Sequence, residues 1–98
     1  MAKEAVKRKV NVDLRYPSRY NVVIYNDDYT PMDFVIKLLI DIFNKNIDTA
    51  KDLTMLVHNK GSAIAGTYNH EIAEQKCTEA LTMSRMSGHP LQLKVEQV

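Results

Sequence analysis

Residues 20–25 read Tyr-Asn-Val-Val-Ile-Tyr, a strand-length run that is apolar at almost every position. A half-buried strand alternates apolar and polar side chains, whereas a near-continuous apolar run fits a strand covered on both sides. In a chain of 98 residues this places the run at the centre of a small sheet. The rest of the chain must then supply its neighbours.

The pattern downstream does so. Thr30-Pro31-Met32-Asp33 joins a capping residue, a proline at the first helical position and an acid at capping-box spacing. It predicts a helix to about Asn44, with Phe34, Val35, Leu38, Leu39, Ile42 and Phe43 apolar. Asp48 is expected to cap a second helix, whose apolar face is Ala50, Leu53, Leu56 and Val57 and whose end is Gly61. Residues 62–68 read as a short strand in which Ala and Gly mark a close backbone approach. Asn69 caps a third helix with Glu71 in its first turn and Ala73, Cys77, Ala80, Leu81 and Ser84 on one face, and Gly88-His89-Pro90 stops it. Leu91, Leu93 and Val95 then alternate with Gln92, Lys94 and Glu96 in a final amphipathic strand. The order β-α-α-β-α-β predicts an α+β fold, a two-layer sandwich with three helices on one face of a three-stranded, mostly antiparallel sheet. Residues 1–18 lack sustained periodicity and are expected to form a flexible basic arm, leaving 19–98 as the core domain.

Charge and motif content exclude most chemistries. Net charge is +1, but residues 1–19 carry six Lys/Arg against two acids, so the remainder is mildly acidic. A nucleic-acid or ribosome-associated module is the competing reading of that arm, yet the body lacks the basic clustering and aromatic interleaving such binding uses. Cys77 is the single cysteine, so no internal disulfide forms, which fits a reducing cytoplasm. No early apolar run suggests a secretory signal. Lys37 and Asp41 interrupt the longest apolar stretch and argue against a membrane span. The three histidines lie 12 and 19 residues apart with no paired ligand spacing, and no glycine-rich phosphate loop is present, so neither metal nor nucleotide cofactor is expected. Cys77 on an apolar helix face is inert packing. An Asp27/Asp28/His58 hydrolase lacks any marked nucleophile or oxyanion hole. The chain reads as a non-enzyme, and nothing demands an obligate interface, so a monomer is the default.

One constellation survives. If the second helix packs beside the first strand, His58 approaches the Asn26-Asp27 corner. A carboxylate, an amide oxygen and a neutral imidazole are then three acceptors with one net negative charge. Their complement is an ammonium group. Met32, Val35, Val57 and Leu91 would wall an apolar socket beside it, a combination that suits a peptide's free N-terminus bearing a large apolar first side chain.

The same residues carry a family resemblance. NDDYTPMDFVI at 26–36, LVHNKGSAIAG at 56–66, HEIAEQK at 70–76 and HPL at 89–91 resemble, in order and spacing, the ClpS adaptor family. The resemblance implies a non-enzymatic cytoplasmic adaptor that binds N-degron substrates beginning with Leu, Phe, Tyr or Trp. It implies delivery of them to a Clp AAA+ ATPase (ClpA or ClpC type) for degradation by ClpP. It further implies that Asn26, Asp27 and His58 hold the α-amino group, partly through water. Asp28, Thr30, Met32, Val35, Val57 and Leu91 would line the pocket, with Met32 as a gate against β-branched residues. Glu71 and Lys76 would contact the ATPase N-terminal domain, and the arm would serve delivery. At Thr54 the family commonly has a methionine, so the socket is expected to be reshaped there and its ranking of first residues shifted.

Overall fold

The computed structural model describes residues 18–98, in the order β1 (Tyr20–Tyr25), α1 (Met32–Asp41), α2 (Ile47–Lys60), β2 (Ser62–Tyr68), α3 (His70–Met86) and β3 (Gln92–Gln97). The expected arm over 1–18 lies almost wholly outside these residues. As its apolar run requires, β1 is the central strand of a three-stranded sheet in the order β2-β1-β3, and both pairings are antiparallel. Val22 and Ile24 of β1, Ala63 and Ala65 of β2 and Leu93 of β3 are buried under the helices. On the opposite face Ile64 is 48% exposed and Lys94 is open to solvent. The core joins these strand residues to Val35, Leu38, Leu39 and Phe43, to Ala50 and Val57, and to the small side chains Ala73, Cys77 and Ala80 of α3. Small residues on α3 allow its backbone to lie close to the sheet.

The β1–β2 ladder slips between Val22 and Val23, where Val22 pairs with Gly66 and Val23 with Ile64, leaving Ala65 as the extra residue of a bulge. Gly66 leaves room for a neighbour that the sequence only half suggests. The close approach comes from a side chain, because a Cβ at Gly66 would collide with the Tyr68 hydroxyl.

Three helix termini differ from expectation. Thr30 does not cap α1: Pro31 holds the cap position with an extended backbone and no side-chain bond. Its carbonyl accepts the Phe34 and Val35 N–H groups. Thr30 therefore sits one residue too early, and its hydroxyl turns back to Asp27. Helix α1 also ends at Asp41, before Asn44. Asn44 adopts a left-handed φ of 57°, and the Lys45 N–H reaches back to the Leu39 carbonyl at 3.1 Å, satisfying one of the carbonyls left open at the helix end. In α2 the cap is Asn46, whose side chain accepts from the Thr49 N–H at 2.8 Å, and Asp48 falls in the first turn, where it favourably faces the helix dipole. The buried face of α2 is Ala50, Thr54 and Val57. Leu56, one residue and about 100° round the helix from Val57, is 43% exposed. The Asn69 cap is found as expected, accepting from Ile72 N–H at 2.9 Å.

Gly61 ends α2 with φ 93°, and a Cβ there would meet nothing within 4 Å. The cost of a side chain is thus purely one of backbone conformation. Gly61→Ala should destabilise the fold by about 1–2 kcal/mol, measurable by urea denaturation. An unchanged midpoint would show that the left-handed residue is not required there.

Candidate functional site

Strand pairing assembles the site. Tyr25 is the last residue of β1 and pairs with Ser62, the first of β2. The ladder continues for one more bond, from the Asn26 N–H to the Gly61 carbonyl at 2.9 Å. Gly61 also closes α2 by donating its own N–H to the Val57 carbonyl. The end of the central strand and the last turn of α2 are therefore tied to one point, and His58 comes beside the Asn26-Asp27-Asp28 corner.

A cavity of about 230 Å³ opens at that corner, lined by Asn26, Asp27, Asp28, Thr30, Met32, Val35, Thr54, Val57 and His58. One part of this lining is polar and acceptor-rich, and Met32, Val35 and Val57 are apolar. Val35 and Val57 are fully buried, while Met32 at the start of α1 is 38% exposed. Nine of the ten residues expected around the site are therefore brought together. Leu91 is the exception. It is 1% exposed, shares the core cluster of Val35 and Val57 and is not among the residues that line the cavity. Glu71 and Lys76 lie on α3 and do not line the cavity. Glu71 is exposed. Lys76 donates from Nζ to the Ile42 carbonyl at 2.8 Å and stands 5.5 Å from the centre of the Tyr68 ring, so it also fastens α3 to the end of α1.

Asp27 shapes the loop as well as charging it. Its Oδ1 accepts the Tyr29 and Thr30 N–H groups, each at 2.7 Å, and its Oδ2 accepts the Thr30 hydroxyl at 2.7 Å. Burial alone would raise its pKa. The hydrogen bonds from Thr30 and Tyr29, with the positive charge of His89 nearby, outweigh that penalty and hold the carboxyl below its ordinary value of 3.8. The group is thus an ionised, pre-oriented carboxylate with acceptor capacity left on Oδ2. His89, whose ring packs edge-on against Phe34 at 4.6 Å, belongs in the sequence to the helix stop and the HPL match, neither of which points to Asp27. Thr54, 3% exposed, satisfies its buried hydroxyl by donating to the Ala50 carbonyl at 2.8 Å. Among the described residues no cluster of three or more His, Cys, Asp or Glu side chains could hold a metal ion, and no helix is long and apolar enough to cross a membrane.

Comparison with known proteins places this geometry in a family. The family profile described as ATP-dependent Clp protease adaptor protein ClpS matches residues 15–94. The ATP-dependent Clp protease adapter protein ClpS of Vibrio atlanticus is 46% identical over 90 residues, spanning 92% of this chain and 85% of its own. That of Treponema denticola is 48% identical over 82 residues, spanning 84% and 81%. Among solved structures, Agrobacterium tumefaciens ClpS2 bound to L-phenylalaninamide superposes with a TM-score of 0.81 at 36% identity, covering 84% of this chain and 99% of that one.

The lowered pKa of Asp27 has a consequence for stability. A group whose folded pKa is depressed stabilises the fold fully above its unfolded value, and that contribution is lost as pH falls through the folded one. Asp27→Asn keeps an oxygen for the two N–H groups but does not titrate. Stability should therefore fall more steeply below pH 3.8 in the wild type than in Asp27→Asn, as read by urea denaturation along an acid series. Parallel curves would show that the carboxylate's three bonds add nothing to the fold.

Proposed function

This chain belongs to the ClpS family, and from that premise we propose that it is a non-enzymatic adaptor. In this reading it captures proteins by a free N-terminal α-amino group and a large apolar first side chain. It passes them to a Clp AAA+ ATPase, of ClpA or ClpC type, for degradation by ClpP. The observation that carries the reading is the single cavity in which Asn26, Asp27 and His58 adjoin Met32, Val35 and Val57.

The chemistry follows from the two parts of that lining. An α-ammonium offers three donors and a positive charge. Asp27 meets it with the acceptor capacity left on Oδ2, Asn26 with its side-chain oxygen and His58 with an unprotonated ring nitrogen. The loop bonds on Asp27 hold the carboxylate in place before the ligand arrives, so little is lost in ordering it. The first side chain enters between Val35 and Val57, with Thr54 further along the wall, Asp28 and Thr30 at the loop side and Met32 at the rim. Met32 is the gate in this reading: an unbranched side chain packs past it, while a β-branched one crowds it next to the backbone. L-phenylalaninamide, the ligand of the Agrobacterium relative, has these features: a free amine, a benzyl group and an amide where a peptide would continue. The ATPase would be met by α3, through exposed Glu71 and through the two ammonium donors of Lys76 that Ile42 leaves free. The arm over residues 1–18, with its basic charge, would serve delivery, and the core over 19–98 would act as a soluble monomer.

Fluorescence anisotropy with peptides identical except at residue one tests the binding step. Peptides beginning with Phe, Tyr, Trp or Leu should bind, and those beginning with Ile or Val should not. N-acetyl-Phe should lose about 2–5 kcal/mol, because truncating one partner of a charge-assisted pair leaves the other unpaired. Asp27→Asn, which removes the charge but retains an acceptor for the loop, should weaken the Phe peptide at least tenfold, about 1.4 kcal/mol. Equal binding of the free and acetylated peptides would remove the ammonium-trap mechanism.

A further inference from the structure

We propose that the Thr54 hydroxyl makes this cavity selective for tyrosine over phenylalanine as the first residue. The inference rests on the reading above, that the cavity takes the first side chain of a chain with a free α-amino group.

Thr54 is the one hydroxyl-bearing residue that α2 contributes to the lining, its other two being Val57 and His58. A hydroxyl has a single proton, and here it is committed to the Ala50 carbonyl at 2.8 Å. Towards any group entering the cavity, Oγ1 can therefore accept a hydrogen bond but not donate one. Val35 and Val57 offer no hydrogen-bonding side-chain atom, so a donor that reaches this depth finds Thr54 as its partner on α2.

The helix sets the reach. Thr54 precedes His58 by four residues, which puts the two on one face, about 6 Å apart along the axis. His58 is exposed at the amino end of the site and Thr54 is buried, so Thr54 lies one turn further in. The phenol oxygen of tyrosine stands at a comparable distance from its own α-amino nitrogen. Phenylalanine stops short and brings no donor. A phenol O–H that meets Oγ1 gains a buried neutral hydrogen bond, a net effect of about three- to tenfold in affinity. Without that acceptor the phenol would be buried unpaired, and the preference would reverse.

A threonine that merely satisfies its own hydroxyl within the helix would leave the tyrosine-to-phenylalanine ratio unaffected, so that ratio is the readout. The full chain is titrated with three peptides beginning with Tyr, Phe or para-fluoro-Phe, the last filling the same position without a donor. Wild type should bind the Tyr peptide about three- to tenfold more tightly than both others. Thr54→Ser should keep the ratio, and Thr54→Val should abolish or invert it. Equal binding of the three peptides by wild type overturns the proposal, as does an unchanged ratio in Thr54→Val. Should Thr54→Val fail to fold, the wild-type comparison of Tyr with para-fluoro-Phe decides alone. If wild type binds none of the three, it is the binding reading that fails, and this inference falls with it.

Discussion

The hydrogen bond from Asn26 N–H to the Gly61 carbonyl is worth only about 1 kcal/mol by itself, but the geometry of the site depends on it. It prolongs the β1–β2 ladder by one residue past Tyr25 and Ser62. The partner is the left-handed residue that ends α2. A loop that would otherwise wander at the end of a strand is thereby registered against the last turn of a helix. His58, three residues before Gly61, is carried to the acceptor-rich corner without any direct bond to it. The same register places Val57 and Thr54, earlier on the same face, along the cavity wall. Site and fold are thus one construction: the central strand is paired along both edges, and the β2 edge brings the binding helix.

Asp27 shows how a carboxylate can be kept ionised in a partly buried loop. Placing three acceptor-rich side chains between a strand and a helix is unfavourable in the abstract, since burial penalises charge and adjacent acids repel. The loop offsets this with two backbone N–H groups and the Thr30 hydroxyl, all aimed at one carboxylate. Thr30 gives up helix capping to do so, and α1 starts on Pro31 without a side-chain cap. The rigidity that fixes the loop also fixes the charge, so a ligand's ammonium meets a group that need not be ordered. A variant that removes the whole side chain confounds the two roles, whereas Asp27→Asn, which keeps one acceptor oxygen, separates them.

Much of this was legible in the sequence. The element order, the central place of residues 20–25 and the Asn69 cap follow from periodicity and cap chemistry that act within a few residues. The polar corner was legible because Asn26, Asp27 and His58 supply acceptors of complementary chemistry at a strand end and a helix end that the fold brings together. What escaped was set partly by tertiary packing and partly by local alternatives that the pattern alone does not rank. Asn46 displaced Asp48 as cap, since either residue satisfies the local pattern and only the path of the preceding turn decides. Leu56 was assigned to the core on its hydrophobicity, but the face that meets the sheet is fixed by Ala50, Thr54 and Val57. Leu91 reads as a pocket residue next to a stop signal, yet it is buried in the core cluster. The three bonds on Asp27 do not stand out in the sequence, because an Asp that accepts from backbone N–H groups two and three residues on is a common loop pattern.

The central claim is that the corner of Asn26, Asp27 and His58 binds an α-ammonium while the adjoining wall takes an apolar side chain. The most direct measurement is a ¹H–¹⁵N correlation titration of the full chain with L-phenylalaninamide and, in parallel, with 3-phenylpropanamide, the same molecule without its amine. Saturable shifts confined to residues 26–35 and 54–61 with the first compound, and none with the second, are the result this account predicts. Equal shifts from both compounds, or shifts centred elsewhere on the protein, would contradict it.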